Sequence, residues 1–207
     1  MGQLVRLAAL IAGVSYLWVV ASGLAGPPAI AWKGSGVALL AVYAALARQW
    51  PIALVMALGA AGDVLLETHG LMVGAIAFAL GHIVAIWFYW TNRRAQTSGS
   101  QRGLAIATLV LTPLVSFALT GQPDVAFYGL LLGAMAATAW VSRFGRYSVG
   151  IGAMAFVASD LLIFARMEAL AGQAWVSFAI WLLYFGGQYL IATGVVGLRG
   201  AGASARN

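Results

Sequence analysis

The sequence predicts an all-α, polytopic membrane bundle of eight transmembrane helices, and three observations lead to that prediction. Of the 207 residues, 63% are hydrophobic and only 8% are charged, a balance that soluble domains do not show. Apolar runs of roughly the length that crosses a bilayer, about 20 residues, follow one another along the chain. When eight spans are drawn, the basic residues segregate to one side of the membrane.

Taken in order, the apolar runs place helices near residues 3–22, 29–47, 51–66, 70–91, 103–120, 124–141, 147–166 and 173–198. The first run follows Arg6 as in a signal peptide, but no Ala-x-Ala cleavage site comes after it, so we interpret it as a retained helix. The third run would rise only ~24 Å. We therefore expect it to extend by a few residues or to lie where the bilayer thins.

The charges give this topology an orientation. Eight spans put both termini on the same side as nine basic residues, which are Arg6, Arg48, Arg93, Arg94, Arg102, Arg143, Arg146, Arg199 and Arg206. The opposite side holds Lys33 and Arg166. The positive-inside rule then predicts that both termini are cytoplasmic. Abundant Arg, Ala and Gly indicate a bacterial inner membrane, with an organelle membrane as the alternative. Because the basic residues form no stripe, the net charge of +6 does not predict nucleic-acid binding.

The chain is expected to form one integral membrane domain, residues 1–207, from two related halves. These are a first four-helix half (1–91), a cytoplasmic linker (92–102), a second four-helix half (103–198) and a short cytoplasmic tail (199–207). The third helix carries Gly-Asp-Val-Leu-Leu and the seventh Ser-Asp-Leu-Leu-Ile. An even number of helices in each half predicts parallel repeats about an axis along the membrane normal. Chance similarity between apolar helices is the alternative.

Two aspartates inside these apolar stretches, Asp63 and Asp160, are the leading candidates for function. A carboxylate at a helix centre in hydrocarbon costs roughly 2.5 kcal/mol or more, so an intramembrane Asp indicates a functional site. Counting from the start of each helix puts the two at similar depths, ~18 and ~20 Å above the inner boundary. A structural pair, each hydrogen-bonded across the bundle, is the alternative.

Other polar groups lie within reach of the same depth. His82 recurs with Gly74 and Phe78 at helical spacing, as Asp160 does with Gly152 and Phe156, which predicts one buried stripe on each helix. The candidates for binding or orienting a substrate are His82, Tyr184, Gln188, Ser159 and Phe78. For each the alternative is ordinary packing: a core histidine, hydrogen bonds between helices, or a small residue that lets helices approach.

Metal and thiol chemistry are not expected. A site of Asp63, Asp160 and His82 is conceivable, but no His-x-x-x-His or Glu-x-x-His pair supports it. The chain has no cysteine, which excludes thiolate nucleophiles and Cys-ligated metals. We therefore predict no metal and no cofactor.

The chain resembles the YhhN family of integral membrane lysoplasmalogenases, also called alkenylglycerophospholipid hydrolases, across nearly its whole length. Three blocks carry the resemblance: Gly62-Asp63-Val64-Leu65-Leu66; Gly74-x-x-x-Phe78-x-x-x-His82; and Gly152-x-x-x-Phe156-x-x-Ser159-Asp160-x-Leu162, followed by Tyr184-x-x-x-Gln188-Tyr189-Leu190-Ile191. Two positions depart from the family's pattern. Gly34 follows Lys33 where a proline is common, and Ala85 stands where a tyrosine often follows the histidine.

The resemblance implies hydrolysis of the vinyl ether of a lysoplasmalogen to a fatty aldehyde and a glycerophospho-alcohol, with Asp63 and Asp160 as the acid/base pair. Its implied partners are a lysophospholipid substrate and membrane lipids. Lys33 and Arg166 are outer candidates for phosphate contact, and Arg48, Arg143 or Arg146 are cytoplasmic ones, with topology as their alternative role. A proton-coupled transporter using the same aspartates is the alternative function. A noncatalytic scaffold would leave the buried carboxyls without purpose. The oligomeric state stays open.

Overall fold

A computed structural model gives the structure of residues 1–204, with side chains described for residues 1–197. The described chain is 85% helical and has no strand. It contains eight helices long and apolar enough to cross a membrane. They are α1 (Gly2–Ser22), α2 (Pro27–Leu46), α3 (Trp50–Thr68), α4 (Leu71–Thr91), α5 (Gly99–Thr120), α6 (Pro123–Val141), α7 (Ile151–Met167) and α8 (Ala174–Ser204). The predicted all-α polytopic fold is confirmed, and the chain is a multi-pass integral membrane protein.

The helix ends follow local sequence chemistry. Proline stands in the first turn of α2, α3 and α6, where its missing N–H would have no partner in the helix anyway. Gly23 and Gly121 end α1 and α5 in the left-handed conformation that glycine adopts without strain. Ser98 and Gln101 form a reciprocal capping box at the start of α5.

Three boundaries differ from the sequence prediction. The 19 residues of α3 rise ~28 Å, so the helix gains the length that the short apolar run lacked. A π-helical turn, Arg146–Gly150, precedes α7, where a regular helix was predicted from residue 147. Helix α8 continues to Ser204, beyond the predicted end at 198. Arg206, in the predicted tail, lies outside the described residues.

The distribution of side chains is the one expected when the solvent is lipid. Large apolar side chains such as Leu80, Trp87, Val110 and Leu114 are exposed along the helices. The buried polar side chains include Asp63, His82, Ser159, Asp160 and Gln188. Placing a polar group in hydrocarbon costs several kcal/mol of free energy unless other protein groups form hydrogen bonds with it. Such groups therefore face the interior of the protein.

The chain divides into two compact units. The first comprises Met1–Val84 together with the chain from Ala192 onward, and the second comprises Ala85–Ile191. These limits differ from the predicted halves, because α4 and α8 each contribute residues to both units. The single domain and the parallel four-helix repeats stay predictions.

In the first unit, α2 packs against both α1 and α3. The Trp32 indole N–H of α2 donates to the hydroxyl of Ser15 on α1, 2.9 Å away. Gly34 lies against α3, where an added Cβ would come within 2.9 Å of Val64 Cγ2. Gly34 therefore permits a close approach of α2 and α3 beside Asp63.

In the second unit, α5 and α6 pack closely and α7 contacts both. Gly129 and Gly133 on α6 leave room for Ser116 and Thr112 on α5, since a Cβ at either glycine would fall within 3.0 Å of α5 atoms. These small residues let the helix backbones approach, as is usual in membrane bundles. Helix α7, which carries Asp160, packs beside α6.

Candidate functional site

The first unit holds Asp63 near the C-terminal end of α3, with its side chain 2% exposed. Its neighbour Gly62 leaves space for the Phe78 ring of α4, which an added Cβ would meet at 2.6 Å. Phe78 therefore packs against the α3 backbone beside the aspartate. His82 follows one turn later on α4 and is buried. The predicted stripe of Gly74, Phe78 and His82 is confirmed as a buried face.

Lys33 lies in the same unit and has a carboxylate partner. Its Nζ atom donates to Glu67 Oε1 at 2.6 Å, which links α2 to the last turn of α3. Glu67 is one turn after Asp63, and its side chain is 46% exposed whereas that of Lys33 is 16% exposed. The sequence did not pair these charges, because residues 34 positions apart become neighbours only through helix packing.

Tyr16 on α1 was not predicted as a site residue. It is half-buried and lies within electrostatic reach of both Glu67 and Asp63. One tyrosine among the exposed apolar residues of a first helix carries little signal by itself. Its position on the face turned to these acids depends on how α1 packs.

The second unit holds Asp160 on α7, with its side chain 5% exposed. The Tyr128 hydroxyl of α6 donates to Asp160 Oδ2 at 2.6 Å. The Phe164 ring, one turn beyond Asp160, meets the Tyr128 ring edge to face with centroids 6.1 Å apart. This hydrogen bond and ring contact fix the orientation of the carboxyl group.

Tyr128 was not predicted as a site residue, although its depth in the membrane matches that of Asp160. Tyr128 is five residues into α6, ~7 Å from its start, and Asp160 is seven residues before the end of α7, ~10 Å away. In the predicted topology these ends share the outer side of the membrane. Tyr128 belongs to neither repeated motif, so only the packing of α6 against α7 pairs it with Asp160.

Helices α7 and α8 meet through glycines beside the other predicted residues. A Cβ at Gly152 would lie 2.7 Å from the Gly187 carbonyl oxygen, and one at Gly187 would lie 2.6 Å from the Gly152 carbonyl oxygen. One turn along, the rings of Phe156 and Tyr184 pack edge to face with centroids 5.2 Å apart. The predicted stripe of Gly152, Phe156 and Asp160 is confirmed as buried.

Ser159 and Gln188 both lie where α7 meets α8, and Ser159 forms a hydrogen bond between the two helices. The Ser159 hydroxyl donates to the Ile180 carbonyl at 3.1 Å, which joins α7 to α8. Gln188 is buried one turn after Tyr184. Ser159 therefore has a structural bond of its own, and Tyr184 and Gln188 share one face of α8.

Each unit thus places one buried aspartate among aromatic and polar neighbours. Asp63 is accompanied by Phe78, with His82 one turn further along α4, and Asp160 is bonded to Tyr128 with Ser159 adjacent. Among the described residues, no three His, Asp or Glu side chains are grouped as metal ligands.

Comparison with known proteins identifies the family. No curated protein and no solved structure matches the chain. The model of the YhhN family matches residues 29–195, which is most of the 207-residue chain and includes all eight predicted site residues. The chain therefore belongs to the YhhN family.

Proposed function

We propose that this protein is a lysoplasmalogenase that hydrolyses the vinyl ether bond of a lysoplasmalogen within the membrane. Membership of the YhhN family links the chain to this activity at the level of the family. The observation that carries the proposal is Asp160, a carboxyl group buried in a membrane span and held by the Tyr128 hydroxyl at 2.6 Å. A buried ionisable group in a span is costly and therefore indicates function.

The chemistry needs one proton donor and one proton acceptor. Protonation of the alkene carbon next to the hydrocarbon chain gives an oxocarbenium ion, with the positive charge shared by the ether oxygen. Water adds to this ion and loses a proton, and the resulting hemiacetal collapses to the aldehyde and the glycerophospho-alcohol. The demand resembles that of glycoside hydrolysis, in which one carboxyl acts as acid and another as base or charge stabiliser.

We assign these two tasks to Asp63 and Asp160 without dividing them. The Tyr128 bond supports a fixed carboxyl at Asp160, which favours a productive geometry because catalytic groups act best when preorganised. Phe78 beside Asp63, and Tyr184 against Phe156, would exclude water and line the path of the lipid chain. His82 and Gln188 are proposed to orient the attacking water or the ether oxygen.

A lipid substrate agrees with the location of these groups. Both aspartates lie in membrane spans, so the hydrocarbon chain of the substrate can remain in the bilayer while the vinyl ether reaches a carboxyl. Lys33 is proposed as a phosphate contact, although it would first have to exchange its bond to Glu67. Head-group phosphate is a suitable competitor because it also offers acceptor oxygens.

The test is aldehyde release from a lysoplasmalogen by protein purified in detergent. We expect Asp63→Asn and Asp160→Asn each to lose at least about a hundredfold in turnover, the lower range for removing a general acid or base. Asp124→Asn is the matched control, because Asp124 is an exposed carboxyl in the first turn of α6. A saturated-ether lysolipid, which lacks the reactive alkene, should release nothing.

The same assay separates the enzyme from a proton-coupled transporter. Detergent micelles have no compartments, so a transporter would consume no substrate. Near-normal turnover in either Asn variant would refute the assignment of the pair. No aldehyde from folded wild-type protein, across several head groups, would refute the proposed reaction.

We also propose that both termini face the cytoplasm of a bacterial inner membrane, which rests on the asymmetry of the basic residues. Because the chain has no cysteine, single substitutions such as Gln3→Cys and Glu168→Cys give clean labelling sites. In intact cells, an impermeant maleimide should label the cysteine at 168 and leave the one at 3 unlabelled. The opposite labelling pattern would show that both termini face outward.

A further inference from the structure

The second unit contains a clip of two chain segments, Asn92–Arg94 and Val141–Tyr147, which we call the arginine clip. The Arg94 N–H donates to the Val141 carbonyl at 3.1 Å, and the Arg143 N–H donates to the Asn92 carbonyl at 2.8 Å. Arg93 and Ser142 form an isolated antiparallel bridge between these bonds. The end of α4 and the α6–α7 loop, almost 50 residues apart in sequence, are thereby held together.

The arginine clip contains four arginines and no acidic residue. Arg93, Arg94, Arg143 and Arg146 all lie on it. No acidic residue occurs in residues 68–123 or 125–159, and among the described side chains no ion pair joins these arginines to a carboxylate. One guanidinium is structural, since Arg94 Nη2 donates to the Phe144 carbonyl at 2.7 Å and closes the clip.

Aromatic rings position the other three guanidinium groups. Arg93 lies over the Trp90 ring with its Cζ atom 5.1 Å from the centroid. Arg143 lies over Phe144 at 5.7 Å and Arg146 over Tyr147 at 5.9 Å. Arg93 Nη1 also donates to the Trp90 carbonyl at 3.5 Å. Cation–π contact orients a guanidinium and leaves its other N–H groups available at the edge.

The exposed rings mark the depth of the clip. The side chain of Trp90 is 56% exposed and that of Tyr147 is 80% exposed, and both are at helix ends. Trp and Tyr at helix ends occupy the boundary between hydrocarbon and head groups. The clip is therefore at the level where lipid phosphates lie, on the side that the positive-inside rule places in the cytoplasm.

We propose that the arginine clip binds the head-group phosphate of an anionic phospholipid. Guanidinium groups match phosphate oxygens bidentately, and basic pockets at the cytoplasmic ends of transmembrane helices are suited to acidic lipids. The backbone bonds make the clip rigid before binding, which lowers the ordering cost of the arginines. Arg143 and Arg146, which the sequence also offered as contacts for the substrate phosphate, are assigned here to this second lipid. Its binding does not depend on the proposed reaction.

The experiment is native mass spectrometry of the purified full chain in detergent with equal amounts of phosphatidylglycerol and phosphatidylcholine. We expect wild type to retain phosphatidylglycerol preferentially. The double variant Arg93→Gln/Arg143→Gln should lose about 25-fold in affinity for it, since one basic residue near the surface contributes about fivefold. Arg6→Gln/Arg102→Gln is the matched control, because it removes the same charge outside the clip.

Several outcomes would overturn the proposal. If wild-type protein retains the two lipids equally, the proposal is wrong. This result needs no variant, so it does not depend on whether a variant folds. Equal loss of phosphatidylglycerol in the control and clip variants would reduce the effect to net charge. Inorganic phosphate that binds wild type as tightly as the lipid would assign the clip to soluble phosphates.

Discussion

Two adjacent glycines on α8 offer a test of the packing described above. Gly187 lies against α7, where an added Cβ would come 2.6 Å from the Gly152 carbonyl oxygen and 3.3 Å from the Phe156 nitrogen. Gly186, the preceding residue, has no atom within 4 Å of an added Cβ. Gly187→Ala therefore creates a backbone clash, whereas Gly186→Ala adds a methyl group in open space.

The magnitude follows from this geometry. An ordinary contact begins at 3.4 Å, so the two helices would have to separate locally by about 0.8 Å to accept the Gly187→Ala methyl group. Because the obstructing atoms are backbone, no side-chain rotation can relieve the clash. Overpacking of this kind costs about 1–3 kcal/mol. Both variants gain the same helix propensity, about 1 kcal/mol, so that term cancels in their comparison.

The assay is thermal unfolding of the two purified variants in one detergent, followed by intrinsic tryptophan fluorescence. At about 2–4 °C per kcal/mol for a chain of this size, a cost of about 1–3 kcal/mol should lower the unfolding midpoint of Gly187→Ala by about 2–12 °C relative to Gly186→Ala. Equal midpoints would refute the close approach of α7 and α8 at this glycine.

Three further changes test the site and its surroundings. Tyr128→Phe removes the hydroxyl that donates to Asp160. The loss of a charge-assisted hydrogen bond of about 1.5–3 kcal/mol predicts that turnover falls by about tenfold or more. Unchanged turnover would show that this bond does not position the carboxyl group. Arg48 has a left-handed φ of 56°, so Arg48→Gly should raise the free energy of unfolding by about 1 kcal/mol. A decrease measured by denaturant titration would show that the Arg48 backbone is not strained. Lys33→Met and Glu67→Gln should each change stability by no more than about 1 kcal/mol, since the Glu67 side chain is 46% exposed and water screens the pair. A double-mutant cycle measures their coupling, and a loss of turnover confined to Lys33→Met would support its contact with substrate phosphate.

The predictability of the site differs between its parts. The burial of Asp63 and Asp160 could be predicted because a carboxyl in an apolar run breaks a strong compositional rule, and the burial of His82 could be predicted from its helical spacing. Ser159 was predicted as a site residue from its position beside Asp160, but its bond to the Ile180 carbonyl depends on the packing of α8. Tyr128 was missed because its partner lies 32 residues away on another helix.

The sequence by itself determined the fold class, the number of spans and the location of the buried carboxyls, because the cost of transferring polar groups into hydrocarbon depends on composition and run length. It also carried the family resemblance that the family match bears out. Only the tertiary structure decided the partners: the Lys33–Glu67 pair, the Tyr128–Asp160 bond and the arginine clip. Each joins residues distant in the chain, and their meeting depends on which small residues let two helices approach, a property of the packed pair and not of either helix alone.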